Sequence, residues 1–196
     1  MSQMARRSRS DKIDVDRLLD AAGLAFSRYG VGQATMVEVA ALAGCSRATL
    51  YRQFPNRESL RLAYVHRATL RIAAEIAPEH RPGSVDTVVD LLLRGIRAVR
   101  SDPLLAVWFE PQNMAIPLAL SQSSELLRTM TTGLAGEFAD DPAALADIEL
   151  RGAWILRSVV SLLAMPGESE EAERASLARF VVPLVLTDSS ATEGRS

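Results

Sequence analysis

Six of the eight side chains from Ser46 to Gln53 can donate or accept hydrogen bonds: Ser46, Arg47, Thr49, Tyr51, Arg52 and Gln53. Packed into about two helical turns, such a set suits the edges of base pairs in the DNA major groove. A guanidinium bonds guanine O6 and N7 together, and serine, threonine or glutamine reach other edges. Phosphate contacts are expected from Tyr51, from Thr35 at one helix start and from Arg57 near another, because helix N-termini carry unsatisfied N–H groups that favour anions. Arg6, Arg7 and Arg9 could add backbone or minor-groove contacts as a flexible basic arm.

Side chains of this kind need a scaffold, and the residues before and after them supply one. A helix is expected from Asp14 to Tyr29, where Val15, Leu18, Leu19, Ala22 and Phe26 recur at helical spacing until Gly30 and Gly32 stop it. Thr35-Met36-Val37-Glu38 reads as a capping box, in which the threonine hydroxyl takes the Glu38 N–H and the glutamate reaches back to the Thr35 N–H. The short helix that follows carries Val39, Ala40 and Ala43, and Gly44 breaks it. Ser46 then caps a third helix, which Pro55 and Asn56 end. A fourth runs from Arg57 to about Ile76, with Leu60, Ala63, Tyr64 and Leu70 on one face. Two short helices crossing at small residues, here Ala40 and Gly44, make a helix-turn-helix. Phe26, Val39, Leu50, Phe54 and Leu60 are the apolar residues spaced to complete its core.

Pro78 to Gly83 marks the clearest internal boundary, and every strong pattern beyond it is again helical. Ser84 is placed to cap a helix carrying Val88, Leu91, Leu92, Ile96 and Val99. Asp102-Pro103 and Asp141-Pro142 each pair a capping aspartate with proline at the first helical position. Pro111 and Pro117 are expected to divide the middle, leaving a helix over residues 123–138. The next, over 142–165, ends at Pro166-Gly167. A last one, over 169–185, carries Ala172, Leu177, Phe180, Val181 and Leu184, with Pro183 kinking or ending it. The expected fold is all-α with about nine helices. Residues 12–72 form an N-terminal three-helix helix-turn-helix domain and 73–187 a helical C-terminal domain, with flexible tails at 1–11 and 188–196.

Charge separates the same two regions. The net charge of the chain is −2, but residues 1–80 hold 12 basic and 8 acidic side chains while 81–196 hold 10 and 16. The basic excess lies where phosphates would be met. A single cysteine, Cys45, allows no internal disulfide and fits a reducing cytoplasm. No export signal or membrane-length apolar run is expected. Catalytic signatures are missing too. The two histidines, His66 and His80, stand apart from any nucleophile, and no phosphate loop, nucleophile elbow or metal-spaced cluster occurs. Glu168, Glu170, Glu171 and Glu173 lack the glycine and alternating oxygens of a cation loop, so they read as charge at a helix start. Neither metal nor cofactor is expected.

From Val15 to Tyr64 the chain closely resembles the DNA-binding domain of the TetR (tetracycline-repressor-like) family of bacterial regulators. The resemblance rests on Ala22-x-x-x-Phe26-x-x-x-Gly30, on Val39-Ala40-x-x-Ala43-Gly44-Cys45-Ser46, on Thr49-Leu50-Tyr51-Arg52-Gln53-Phe54 and on Asn56-Arg57-Glu58-Ser59-Leu60. It departs from the family pattern at Cys45, where valine is usual, and near Gln53, where histidine or tyrosine is. Cys45 is read as a small apolar turn residue, with a thiol switch as the alternative. The resemblance implies a homodimer whose last two long helices pack against their copies as a four-helix bundle, and a small-molecule ligand whose binding releases a palindromic double-stranded DNA operator. A repressor in the bacterial cytoplasm is expected, because a dimer seated on a promoter blocks polymerase, with an activator as the alternative. A regulator or architectural DNA binder without a ligand is the alternative.

Beyond the boundary only the helix pattern resembles that family. Trp108, Phe109, Met114, Met130, Phe138 and Trp154 could line an apolar ligand cavity, or simply fill the core. The helix over 142–165 carries Leu145, Ile148, Trp154, Ile155, Val159, Leu162 and Leu163, more apolar surface than one stripe needs, as a dimer interface requires. Arg151 and Arg157 on it are read as rim charges, with a partner acid or an anionic ligand as alternatives.

Overall fold

A computed structural model describes residues 14–77, 85–136 and 145–181. The arm at Arg6, Arg7 and Arg9, the Pro78–Gly83 boundary, the Ser84 cap, Phe138, the Asp141-Pro142 pair and the tail from residue 182 lie outside them. Among the described residues there are ten α-helices and no strand, and no helix is long and apolar enough to cross a membrane. The contacts divide the chain between Arg67 and Ala68, inside a continuous helix.

The first unit holds α1 (Val15–Tyr29), α2 (Met36–Leu42), α3 (Arg47–Gln53) and the beginning of α4 (Arg57–Ile76). Their ends follow from local side chains. Asp14 caps α1 by accepting from Asp16 N, and Gly30 ends it by donating its N–H to Phe26 O. Both halves of the Thr35–Glu38 capping box form. At α4, Asn56 Oδ1 accepts from Ser59 N at 2.8 Å while Ser59 Oγ takes the Asn56 N–H at 3.3 Å, a second reciprocal cap. Phe26, Val39, Leu50, Phe54, Leu60 and Tyr64 are all buried, and the Phe26 and Tyr64 rings meet edge to face at 5.4 Å. Arg67 staples α4 to α1 through Asp16 and Asp20. Leu70 is 54% exposed rather than inward. It falls six residues past Tyr64, about a third of a turn off that stripe.

The second unit is built around α5 (Val85–Ser101), α8 (Glu125–Gly136) and α9 (Leu145–Ala164). Between α5 and α8 come α6 (Pro103–Ala106), two 3₁₀ turns (Val107–Phe109 and Pro111–Asn113) and α7 (Ala115–Ser123). The described chain closes with α10 (Glu170–Ser176) and a π turn (Leu177–Val181). Val88, Val89, Leu92 and Leu93 of α5 pack with Ala135, Ile148, Ile155, Leu177 and Val181 in one core. Helices α8 and α9 approach unusually closely. A Cβ on Gly152 would sit 2.7 Å from the Thr132 backbone nitrogen, so only glycine fits the crossing.

Three expectations are corrected here. Pro117 does not divide the middle but occupies the third position of α7, where its missing N–H needs no partner. The chain breaks instead at Ser124, whose hydroxyl accepts from Leu127 N at 3.2 Å, so the helix expected from residue 123 begins at Glu125. The last helix is α-helical only to Ser176. In the wider π turn that follows, Leu177 and Val181 face the core and Phe180 is 63% exposed.

Candidate nucleic-acid interface

The geometry of α3 starts from its two ends. Gly44, in the turn before it, has φ +62°, a left-handed conformation that other residues rarely adopt. The turn delivers Ser46, whose hydroxyl accepts from Thr49 N at 3.1 Å and lies 2.9 Å from Thr49 Oγ1. The helix is seven residues long and has one buried residue, Leu50. Anchored by that single side chain, it exposes Arg47, Tyr51, Arg52 and Gln53, while Thr49 is half-buried. Neither Arg47 nor Arg52 has a hydrogen bond or ion pair to another described residue. Of the six polar residues singled out on this helix and its cap, four therefore stand outward. Ser46 and Thr49 are occupied with starting the helix.

The expected phosphate-contacting residues divide in the same way. Tyr51 is 47% exposed. Thr35 is exposed, but its N–H donates to Glu38 Oε2 at 2.7 Å and its hydroxyl to the same oxygen at 2.8 Å. Those bonds hold the Glu38 carboxyl below its usual range. Arg57 is exposed and donates to Gly32 O at 3.3 Å. Beside it Arg61 donates to Val31 O at 2.5 Å and Gly32 O at 3.2 Å, and burial with the neighbouring Arg57 charge lowers its pKa from the usual arginine value. Two arginines thus fasten the α1–α2 turn, a role that residue types alone did not signal. Cys45 is half-buried with a free thiol.

In the second unit, the five described residues of the six expected to line a ligand cavity differ widely. Trp108 is 2% exposed, Phe109, Met114 and Met130 are half-buried, and Trp154 is 47% exposed. A cleft of about 330 Å³ lies elsewhere, along α5 and α10, lined by Thr87, Asp90, Leu93, Arg94, Arg97 and Arg174. Helix α9 has two apolar faces, as expected. Ile148, Ile155, Val160 and Leu163 are buried, whereas Leu150 and Trp154 are exposed. Met165 and Phe180 are exposed beyond it. Arg151 pairs with Asp147 within the helix at 2.5 Å. The acidic run does start α10, but Glu173 is buried and bonds Arg100 through both oxygens, at 2.7 and 2.9 Å, and takes the Gly167 N–H at 2.8 Å. The Arg100 hydrogen bonds hold its carboxyl below the usual range. No cluster of side chains suited to a metal ion occurs among the described residues.

Comparison with known proteins bears on this arrangement. Residues 18–64 match the family described as bacterial regulatory proteins, tetR family. An uncharacterized HTH-type transcriptional regulator of Mycobacterium tuberculosis is 39% identical over 189 residues, which cover 94% of this chain and 91% of that one. The HTH-type transcriptional regulator AlkX of the same organism is 26% identical over 157 residues, 76% of this chain and 74% of its own. Among solved structures, the TetR family repressor AlkX from a Dietzia strain, implicated in biodegradation of n-alkanes, aligns with a TM-score of 0.63. It is 22% identical, with 89% of this chain and 96% of that chain covered.

Proposed function

We infer that this chain, a DNA-binding transcriptional regulator that belongs to the TetR family, acts as a homodimeric repressor which a small molecule releases from a palindromic operator. The observation that carries the reading is the outward face of α3, where Arg47 and Arg52 stand exposed without a partner among the described residues. Arg47, Arg52 and Gln53 read base edges there. Tyr51 and Arg57 take phosphates, and Thr35, Ser46 and Thr49 set the helix starts that face the backbone. Dimerisation uses the second apolar face of α9 with the α10 segment, since Leu150, Trp154, Met165 and Phe180 otherwise leave large apolar side chains in water.

In the repressing conformation the two copies of α3 sit about 34–36 Å apart, one turn of DNA, so that both half-sites are engaged. An effector that favours another conformation shifts this equilibrium by at most its own preference for that state. Helix α4, which belongs to both units, carries the change. The effector is apolar. The two relatives named AlkX, one of them implicated in biodegradation of n-alkanes, support that chemistry, and Trp108, Phe109, Met114 and Met130 are the side chains of this chain suited to it, Trp154 being taken up in the dimer face.

Selection from random duplex DNA at near-physiological salt tests the reading, because non-specific phosphate attraction is weakened there. Recovery of a palindrome with half-sites about one turn apart is the expected result, followed by release of that duplex on titration with apolar compounds. A folded dimer that enriches no sequence would overturn it. The division of roles is checked on the same duplex. Arg47→Ala is expected to relax one base pair in each half-site, whereas Arg57→Ala weakens every sequence alike.

A further inference from the structure

Helix α3 turns about 100° per residue, so positions two before and two after Leu50 come round to the side opposite it. Those positions are Ala48 and Arg52, and both are exposed. Leu50 is the one buried residue of the helix, so the line through Ala48 and Arg52 is the centre of its outward face. Arg47 and Tyr51 lie to one side of that line, Thr49 and Gln53 to the other. Every other outward side chain on α3 carries a hydrogen-bonding group. Ala48 alone offers only a methyl.

Position matters as much as type. Ala48 is the second residue of α3, in the turn that Ser46 caps, and the Ser46 and Thr49 hydroxyls that flank it are bonded to each other at 2.9 Å. The centre of this first turn is therefore small and apolar. A longer side chain would hold the helix backbone away from a groove floor, and a polar one would demand a partner there. In the major groove the one apolar group that a base pair presents is the thymine C5 methyl.

We propose that Ala48 is a specificity-determining residue, selecting a thymine in each half-site through contact of its methyl with the C5 methyl, beside the base pair that Arg52 reads. The proposal rests on α3 being the helix that enters the groove. Its test pairs a methyl deletion on the DNA with one on the protein. The full-length protein selects its site, and each thymidine of that site is then replaced by deoxyuridine, which lacks only the C5 methyl. In each half-site one of these single replacements is expected to weaken binding of the unaltered protein about threefold to fivefold, roughly the value of one buried methyl. Ala48→Gly, with its helical content and thermal midpoint checked, is expected to bind thymidine and deoxyuridine duplexes alike at that position. Equal binding of all deoxyuridine duplexes by the unaltered protein overturns the role of Ala48 and leaves the groove reading of α3 intact. So does a deoxyuridine effect that persists undiminished in Ala48→Gly. Failure of the unaltered protein to select any site overturns the groove reading and the proposal with it.

Discussion

On α3, Arg47 and Arg52 stand exposed with no hydrogen bond or ion pair to any described residue, whereas on α5 and α10 Arg97, Arg100 and Arg174 each hold a carboxylate. The three pairs tie α10 back onto α5: Asp90 with Arg174, Arg97 with Glu170, and Arg100 with Glu173. A guanidinium that already has a carboxylate must surrender it before it can bond a phosphate or a guanine, and the exchange gains little. An unpaired one gives up only water. The same residue type is thus structural cement where α10 meets α5 and unspent hydrogen-bonding capacity on the outward face of α3. Where the chain keeps its arginines free says more about function than how many it has.

The largest effect is expected where the contrast is sharpest. Glu173→Ala leaves Arg100 without its carboxylate, with only Leu162 O to bond, and removes the acceptor for Gly167 N, and should lower stability by about 3 kcal/mol in urea unfolding. A loss under about 1 kcal/mol would mean that the pair is not what holds α10. Arg52→Ala is the counterpart in the first unit. It is expected to weaken operator binding by about 2 kcal/mol while leaving the unfolding midpoint in place; a fall in both would show that Arg52 supports the fold. Acid separates the two uses again. The folded pKa of Glu173 is lowered from its ordinary 4.5, so its contribution is complete above that value and fades as pH drops through the lower folded value. The stability gap between the unaltered protein and Glu173→Gln should therefore be constant at neutral pH and close on acidification below about 4.5. The smallest effect is expected for Arg97→Ala. Arg97 and Glu170 are both more than half exposed, and their pair should contribute at most about 0.5 kcal/mol.

How much of this was legible depended on how far apart in the chain the partners lie. The Thr35–Glu38 box, the Ser46 cap and the Asp102-Pro103 start of α6 all close within three residues, and the residue types announce them. The helix-turn-helix core could be read for the same reason, as a run of short-range spacings. The Arg100–Glu173 pair joins residues 73 apart, so nothing beside Glu173 distinguishes it from the glutamates that stay in solvent. Trp108 and Trp154 are equally apolar, yet one is buried and the other half in water. That difference belongs to packing and, for Trp154, to whatever covers α9. Phe180 stands outward because a π turn changes the angle between successive side chains without altering their spacing in sequence. On α3 the polar residues drew attention by their chemistry, while Ala48 did not, since alanine is the default residue of any helix.

Gly44 constrains the turn before α3. Its φ of +62° excludes most side chains. Nothing on the outward face of α3 takes part in that constraint. The scaffold and the text it reads are therefore written in separate residues. If residues 47, 48 and 52 read the operator as proposed, substitutions there would retarget the protein without renegotiating the angle at which the helix is presented, so a duplicated copy of this chain would diverge to a new operator in single steps, each of them folded.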